Sequence, residues 1–189
     1  MNDKQFSNDS AGLQIRRNPL NASEVKIKGL FRVEVMRDGE KVFEIEQPNV
    51  ITDIGVQELL SVALDNGTQA DPWYVGLISG ASPTVNATDT WGTKTWTEFT
   101  SSTEGRIAWG GTGGVATVPN ASASNPTRNI SNLGSAVTFN ITGSGTVGGV
   151  FIIDSASGTG TLFAHTSIAS GPTVANGDDV LVTYTAIIN

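Results

Sequence analysis

The run AVTFNITGSGTVGGVFIID, Ala136 to Asp154, decides the fold class of this chain. Val137, Phe139 and Ile141 alternate with Thr138, Asn140 and Thr142, the period-2 pattern of a strand with one buried and one solvated face. Val150, Phe151, Ile152 and Ile153 break the alternation, as does a strand covered on both faces or lying at a subunit contact. Gly143-Ser144-Gly145 between the two runs supplies the freedom of a hairpin connection, and Gly148-Gly149 marks a bulge or a close backbone approach. A helix does not fit, because each of these glycines would cost about 1 kcal/mol in a helix interior.

Composition agrees with that reading. In 189 residues there are 22 glycines and only 15% charged side chains, which favours strands and turns in one mainly β domain. With no cysteine, disulfides, thiolate metal sites and thiol nucleophiles are excluded. Met1 to Leu20 is polar, and no run approaches the ~20 apolar residues of a membrane span, so a soluble chain made in a cytoplasm is expected. The net charge is -7, and eight of the eleven Lys and Arg residues precede Pro48, leaving Lys94, Arg106 and Arg128 for the rest. An acidic body of this kind argues against nucleic acid as a partner, since that affinity comes from basic groups displacing counterions.

In chain order, residues 1–28 form an expected extended arm. They are too poor in apolar side chains to offset their own ordering entropy, and Phe6, Leu13, Ile15 and Leu20 are spaced as anchors with Arg16 and Arg17 as charged contacts. Residues 29–189 form one β-sandwich or jelly roll. A hairpin over 30–46 should use a three-residue loop, Arg37-Asp38-Gly39, pairing Val33 with Phe43 and Phe31 with Ile45. A plain two-residue loop would set Val33 opposite Glu44 and put carboxylates on the apolar face. Val56, Leu59, Leu60 and Ala63 then mark an amphipathic helix over 53–65, capped by Thr52 or Asp53, stopped at Asn66-Gly67 and packed through its stripe onto a sheet. Strands follow over 73–188, at Trp73–Ile78, Gly105–Trp109, Val115–Val118, the two central runs, Gly160–Ile168 and Asp179–Ile188, with glycine-rich loops between.

Candidate chemistry is sparse. His165 is the sole histidine and lies in a strand-like run, which leaves no two-imidazole zinc site and favours a structural role. Asn176-Gly177-Asp178-Asp179 lacks calcium-loop spacing and reads as a turn. Trp91 and Trp96 in a loop offer a glycan-stacking platform or core packing. Asp89, Glu98 and Glu104 are the carboxylates from which a glycosidase pair would have to come, with no motif behind it. No cofactor is expected.

The succession of features resembles a known group. The Asp38-Gly39 hairpin, Asn49-Val50-Ile51-Thr52-Asp53-Ile54-Gly55 entering the helix, Trp73-Tyr74-Val75-Gly76-Leu77, Asp89-Thr90 leading to Trp96-Thr97-Glu98, Arg106, Gly149-Val150-Phe151 and Gly177-Asp178-Asp179-Val180-Leu181-Val182-Thr183-Tyr184 together resemble tailed-bacteriophage virion proteins, above all capsid decoration or cement proteins. The resemblance implies a jelly-roll-like domain, a homotrimer on the capsid exterior, the major capsid protein as partner and no catalytic residues. The expected function is therefore a non-enzymatic protein that stabilises an assembled capsid, with Phe6, Leu13, Ile15, Arg16, Arg17 and Leu20 in its contact arm. A fibre or tail-tip module that binds a host glycan through Trp91 and Trp96 is the alternative.

Overall fold

The computed structural model describes residues 27–109, 128–132 and 136–188. The elements in order are β1 (Ile27–Arg37), β2 (Glu40–Pro48), β3 (Val50–Ile51), α1 (Asp53–Leu64), β4 (Tyr74–Ser79), β5 (Thr97–Glu98), β6 (Ile107–Ala108), β7 (Arg128–Ser131), β8 (Val137–Asn140), β9 (Gly145–Ile153), β10 (Leu162–Ser167), β11 (Thr173–Val174) and β12 (Asp179–Ile188). They build two antiparallel sheets, so the chain is mainly β. One sheet runs β2-β1-β12, with β7 and β8 end to end along the far side of β12. The other runs β3-β10-β9-β4-β5, with β6 also on β4 and β11 on β9. β1 already begins at Ile27, so the last two residues assigned to the arm are strand, and the rest of the arm and Val115–Val118 lie outside the described residues.

The two central runs form strands but not a hairpin with each other. β8 pairs with β12 in the first sheet, whereas β9 pairs with β4 and β10 in the second. The Gly/Ser connection thus carries the chain from one sheet to the other, because each run finds its apolar complement in a different layer. Phe31, Val33, Val35, Phe139, Val180 and Val182 of the first sheet face Val75, Leu77, Val150 and Ile152 of the second across the main core.

The all-apolar run in β9 is covered on both faces within this chain. Val150 and Ile152 point into the main core, while Phe151 and Ile153 pack beneath Trp96 and Trp91 in a second apolar cluster. Gly76 leaves room for this, since a Cβ there would lie 2.2 Å from the Phe151 ring. The pairing of β4 with β9 slips between Ile78 and Ser79, which makes Gly148 the bulge, and a Cβ on Gly148 would meet the Gly80 carbonyl oxygen at 1.8 Å. A Cβ on Gly149 would stand 2.1 Å from the Thr166 oxygen. Both readings of Gly148-Gly149, bulge and close approach, are therefore realised.

The β1–β2 register differs from the expected one. The turn is two residues, Asp38-Gly39, both left-handed with φ of 52° and 79°, and Arg37 pairs with Glu40. A bulge at Val42 then shifts the ladder by one residue, so that Val35 faces Phe43, Val33 faces Ile45 and Phe31 faces Gln47. The requirement that apolar faces coincide was sound, but the chain meets it by a bulge in the strand and not by a longer loop. Val42, the extra residue, is 53% exposed. Deleting Val42 should therefore keep the same partners in an unbulged ladder and leave the melting temperature almost unchanged. By contrast Phe151→Ala, at a fully buried site, should cost about 3–5 kcal/mol in a denaturant titration. A tolerated Phe151→Ala with a collapsed Val42 deletion would refute this packing.

Candidate functional site

α1 is set on the second sheet by its first turn. Thr52 Oγ1 accepts from the Gly55 N–H at 3.0 Å and donates to the Leu162 carbonyl, while its own N–H donates to Phe163 O at 3.0 Å. Asp53 N–H donates to Ala87 O at 2.8 Å. Gly55 lies so close to the β10 backbone that a Cβ would be 2.4 Å from Phe163 O. The helix ends as the sequence suggests, with Asp65 as C-cap, Asn66 left-handed and the Gly67 N–H donating to Ser61 O at 3.0 Å.

This docking turns the helix so that most of its apolar stripe faces outward. Leu59 packs against the main core, but Val56, Leu60 and Leu64 are 37%, 53% and 81% exposed and Ala63 is exposed too. The expectation that the whole stripe is sheet packing is therefore corrected: the contact is made by Gly55, the capping turn and Leu59, and Val56, Leu60, Ala63 and Leu64 stay outside. Val56 continues into a groove of about 520 Å³ lined with Ile27, Leu30, Pro48, Ile51 and Ile187. Among the described residues the outward side chains of α1 and this groove thus form one apolar surface. Leu64 was missed in the sequence, although its i+8 spacing from Val56 was a signal for it.

The loop residues with chemical potential are committed elsewhere. Arg106, whose side chain is 2% exposed, grips both Glu98 oxygens at 2.9 and 3.0 Å and donates to the Ser155 and Gly158 carbonyls at 3.0 Å each. Its guanidinium lies 4.3 Å from the Trp91 ring centre and Lys94 Nζ lies 4.2 Å from it, while Lys94 donates to Trp96 O at 3.1 Å. Burial holds the Lys94 pKa below its ordinary value, and the nearby Arg106 adds to the effect. Trp96 is 5% exposed and packs on Phe151 at 5.2 Å, so it presents no open ring to a sugar, and Trp91 has cations against its ring. For Trp96 the glycan-stacking expectation gives way to core packing.

The three carboxylates serve separate contacts. Asp89 is buried and accepts from the Asn86 N–H, Glu98 holds Arg106, and Glu104 accepts from the Asn140 N–H at 2.9 Å and from its side-chain amide at 2.6 Å. Asp178 accepts from Arg37 at 2.8 and 2.7 Å and from the Ala175 N–H at 2.9 Å, which closes the turn before β12 and holds its carboxyl below the usual range. No group of three or more potential metal ligands occurs among the described residues. Phe6, Leu13, Ile15, Arg16, Arg17 and Leu20 lie outside the described residues.

No family model, curated protein or solved structure matches this chain.

His165 is fully buried, with Nε2 at 3.0 Å from the Asn86 carbonyl and 3.8 Å from Asp89, and Nδ1 without a partner among the described residues. Burial pushes its pKa below the ordinary value, against the opposing pull of the Asn86 carbonyl and Asp89. The ring is thus neutral in the folded chain, and Nε2–H donates to Asn86. Above pH of about 6.5 the folded and unfolded states are both neutral and the full stability is present. As pH falls below that, the unfolded state takes the proton first and stability declines towards the folded pKa. Melting temperature should therefore fall between pH 7 and 5, and His165→Gln should flatten that slope even though it melts lower throughout. An unchanged wild-type melting temperature across this window would contradict the assignment.

Proposed function

We propose that this chain is a non-enzymatic virion structural protein that binds the outer surface of an assembled phage capsid and stabilises it. The body is then a jelly-roll-like module that works as a homotrimer, with the major capsid protein as its partner. The observation that carries the reading is the outward apolar face of α1, Val56, Leu60 and Leu64, continuous with the Ile27–Leu30–Pro48–Ile51 groove. A surface of this kind suits a broad protein partner better than a small substrate. Supporting it, Glu98, Glu104 and Trp96, from which an enzyme or glycan site would be built, are engaged in pairs and stacks within the chain. The order of sequence features that resembles cement proteins supplies the identity of the partner.

Physically, each contact can be weak. An oligomer that engages several shell subunits gains avidity and resists their separation under the pressure of packaged DNA. Removal of residues 1–26, which precede β1, should leave the body folded while weakening attachment. Co-sedimentation with capsids stripped of decoration tests the reading directly. The intact chain should pellet with the particles, and Leu60→Asp combined with Leu64→Asp should weaken binding about tenfold or more at unchanged melting temperature. A chain that never pellets with stripped particles, or a double variant that binds as tightly as the parent, would overturn it.

A further inference from the structure

We propose that the outer edge of β2 is a docking site for Leu13–Arg16 of a second copy of this chain, added there as an antiparallel strand. β2 ends its sheet, and on the side away from β1 it has no strand partner among the described residues. Its inward side chains Phe43 and Ile45 pack against the core but stay half-buried, because the sheet stops there. The Val42 bulge and Pro48 bound a regular free edge over residues 43–47. An extended segment completes such an edge through backbone hydrogen bonds, and alternate side chains set its specificity.

Two β2 edges do not suit one another. Antiparallel self-pairing that keeps Phe43 and Ile45 on the inner face needs an even-sum register. Centred on Phe43 it sets Glu40 opposite Glu46, on Glu44 it sets Glu44 opposite itself, and on Ile45 it sets Glu44 opposite Glu46. Like charges directly opposite are destabilising. Glu44 on the outer face already meets Arg32 and Lys41, so what the edge selects is a strand with apolar residues inward, and Leu13-Gln14-Ile15-Arg16 has that alternation. Placing Ile15 opposite Ile45 sets Arg16 opposite Glu44 and Gln14 opposite Glu46.

The donor is a second copy for a topological reason. To lie beside β2 and still return to Ile27, a chain's own segment would have to cross its Pro48–Val50 connection, which leaves for β3 in the other sheet. Connections at one end of a sheet do not cross in this way. A contact between unlike surfaces of successive copies makes a ring, such as a trimer, where the rotation between copies closes, and a filament where it does not.

The test uses the absence of native cysteine. Full-length chains carrying Gln14→Cys and Glu46→Cys are mixed and mildly oxidised, with Asn8→Cys plus Glu46→Cys as the out-of-register control. Directly opposite residues have Cα atoms about 4.5–5.5 Å apart, within disulfide reach. The expected result is a mixed disulfide dimer at least tenfold above the control, reduced by Arg16→Glu and retained by Arg16→Lys. A yield no higher than the control would overturn the proposal, as would a Glu46→Cys chain that preferentially links to itself. So would a doubly substituted chain that closes on itself at high dilution. The readout needs no particle, so it succeeds or fails independently of the attachment role.

Discussion

Gly148 and Gly149 let backbone meet backbone in the middle of β9, and the body is arranged around that contact. Any side chain at either position would collide with the Gly80 or Thr166 carbonyl, so the loop after β4 and the strand β10 approach β9 more closely than side-chain packing permits. That approach brings Phe151 and Ile153 under the loop carrying Trp91 and Trp96, while Val150 and Ile152 serve the core between the sheets. A strand buried on both faces cannot carry polar residues without leaving them unpaired, which accounts for its composition.

The same loop engages the polar side chains most suggestive of chemistry in contacts within the chain. Arg106 and Glu98 neutralise each other at the edge of the aromatic stack, and His165 uses one nitrogen to hold the Asn86 carbonyl. These groups fix a long connection to the outer face of the second sheet. Among the described residues, exposed apolar side chains lie elsewhere, on α1, and β2 has no strand partner on its outer side.

Much of this was legible in the sequence. The alternation in Val137–Ile141 and the continuous run Val150–Ile153 identified two strands and their different burial, and Thr52 and Asn66-Gly67 bounded the helix. What could not be read was which strands pair. Nothing local distinguishes a hairpin turn from a connection between sheets in Gly143-Ser144-Gly145, and the Val42 bulge is invisible because a longer loop restores matching faces equally well. The short strands β3, β5 and β11 were missed, since two residues carry no period, and β7 offered no strong one. The orientation of α1 escaped for a related reason. Hydrophobic spacing shows that a stripe exists, but Gly55, which decides which side meets the sheet, contributes nothing to that pattern.

An apolar helix face turned outward is a cost to an isolated chain unless something covers it, and the cover we propose is a capsid surface. Hydroxyl-radical footprinting of the chain free and bound to capsid particles tests this most directly. Val56, Leu60 and Leu64 should be labelled readily in the free chain and protected several-fold on the particle, while Trp96 stays unlabelled in both. Equal labelling of the three helix residues in the two states would contradict the account.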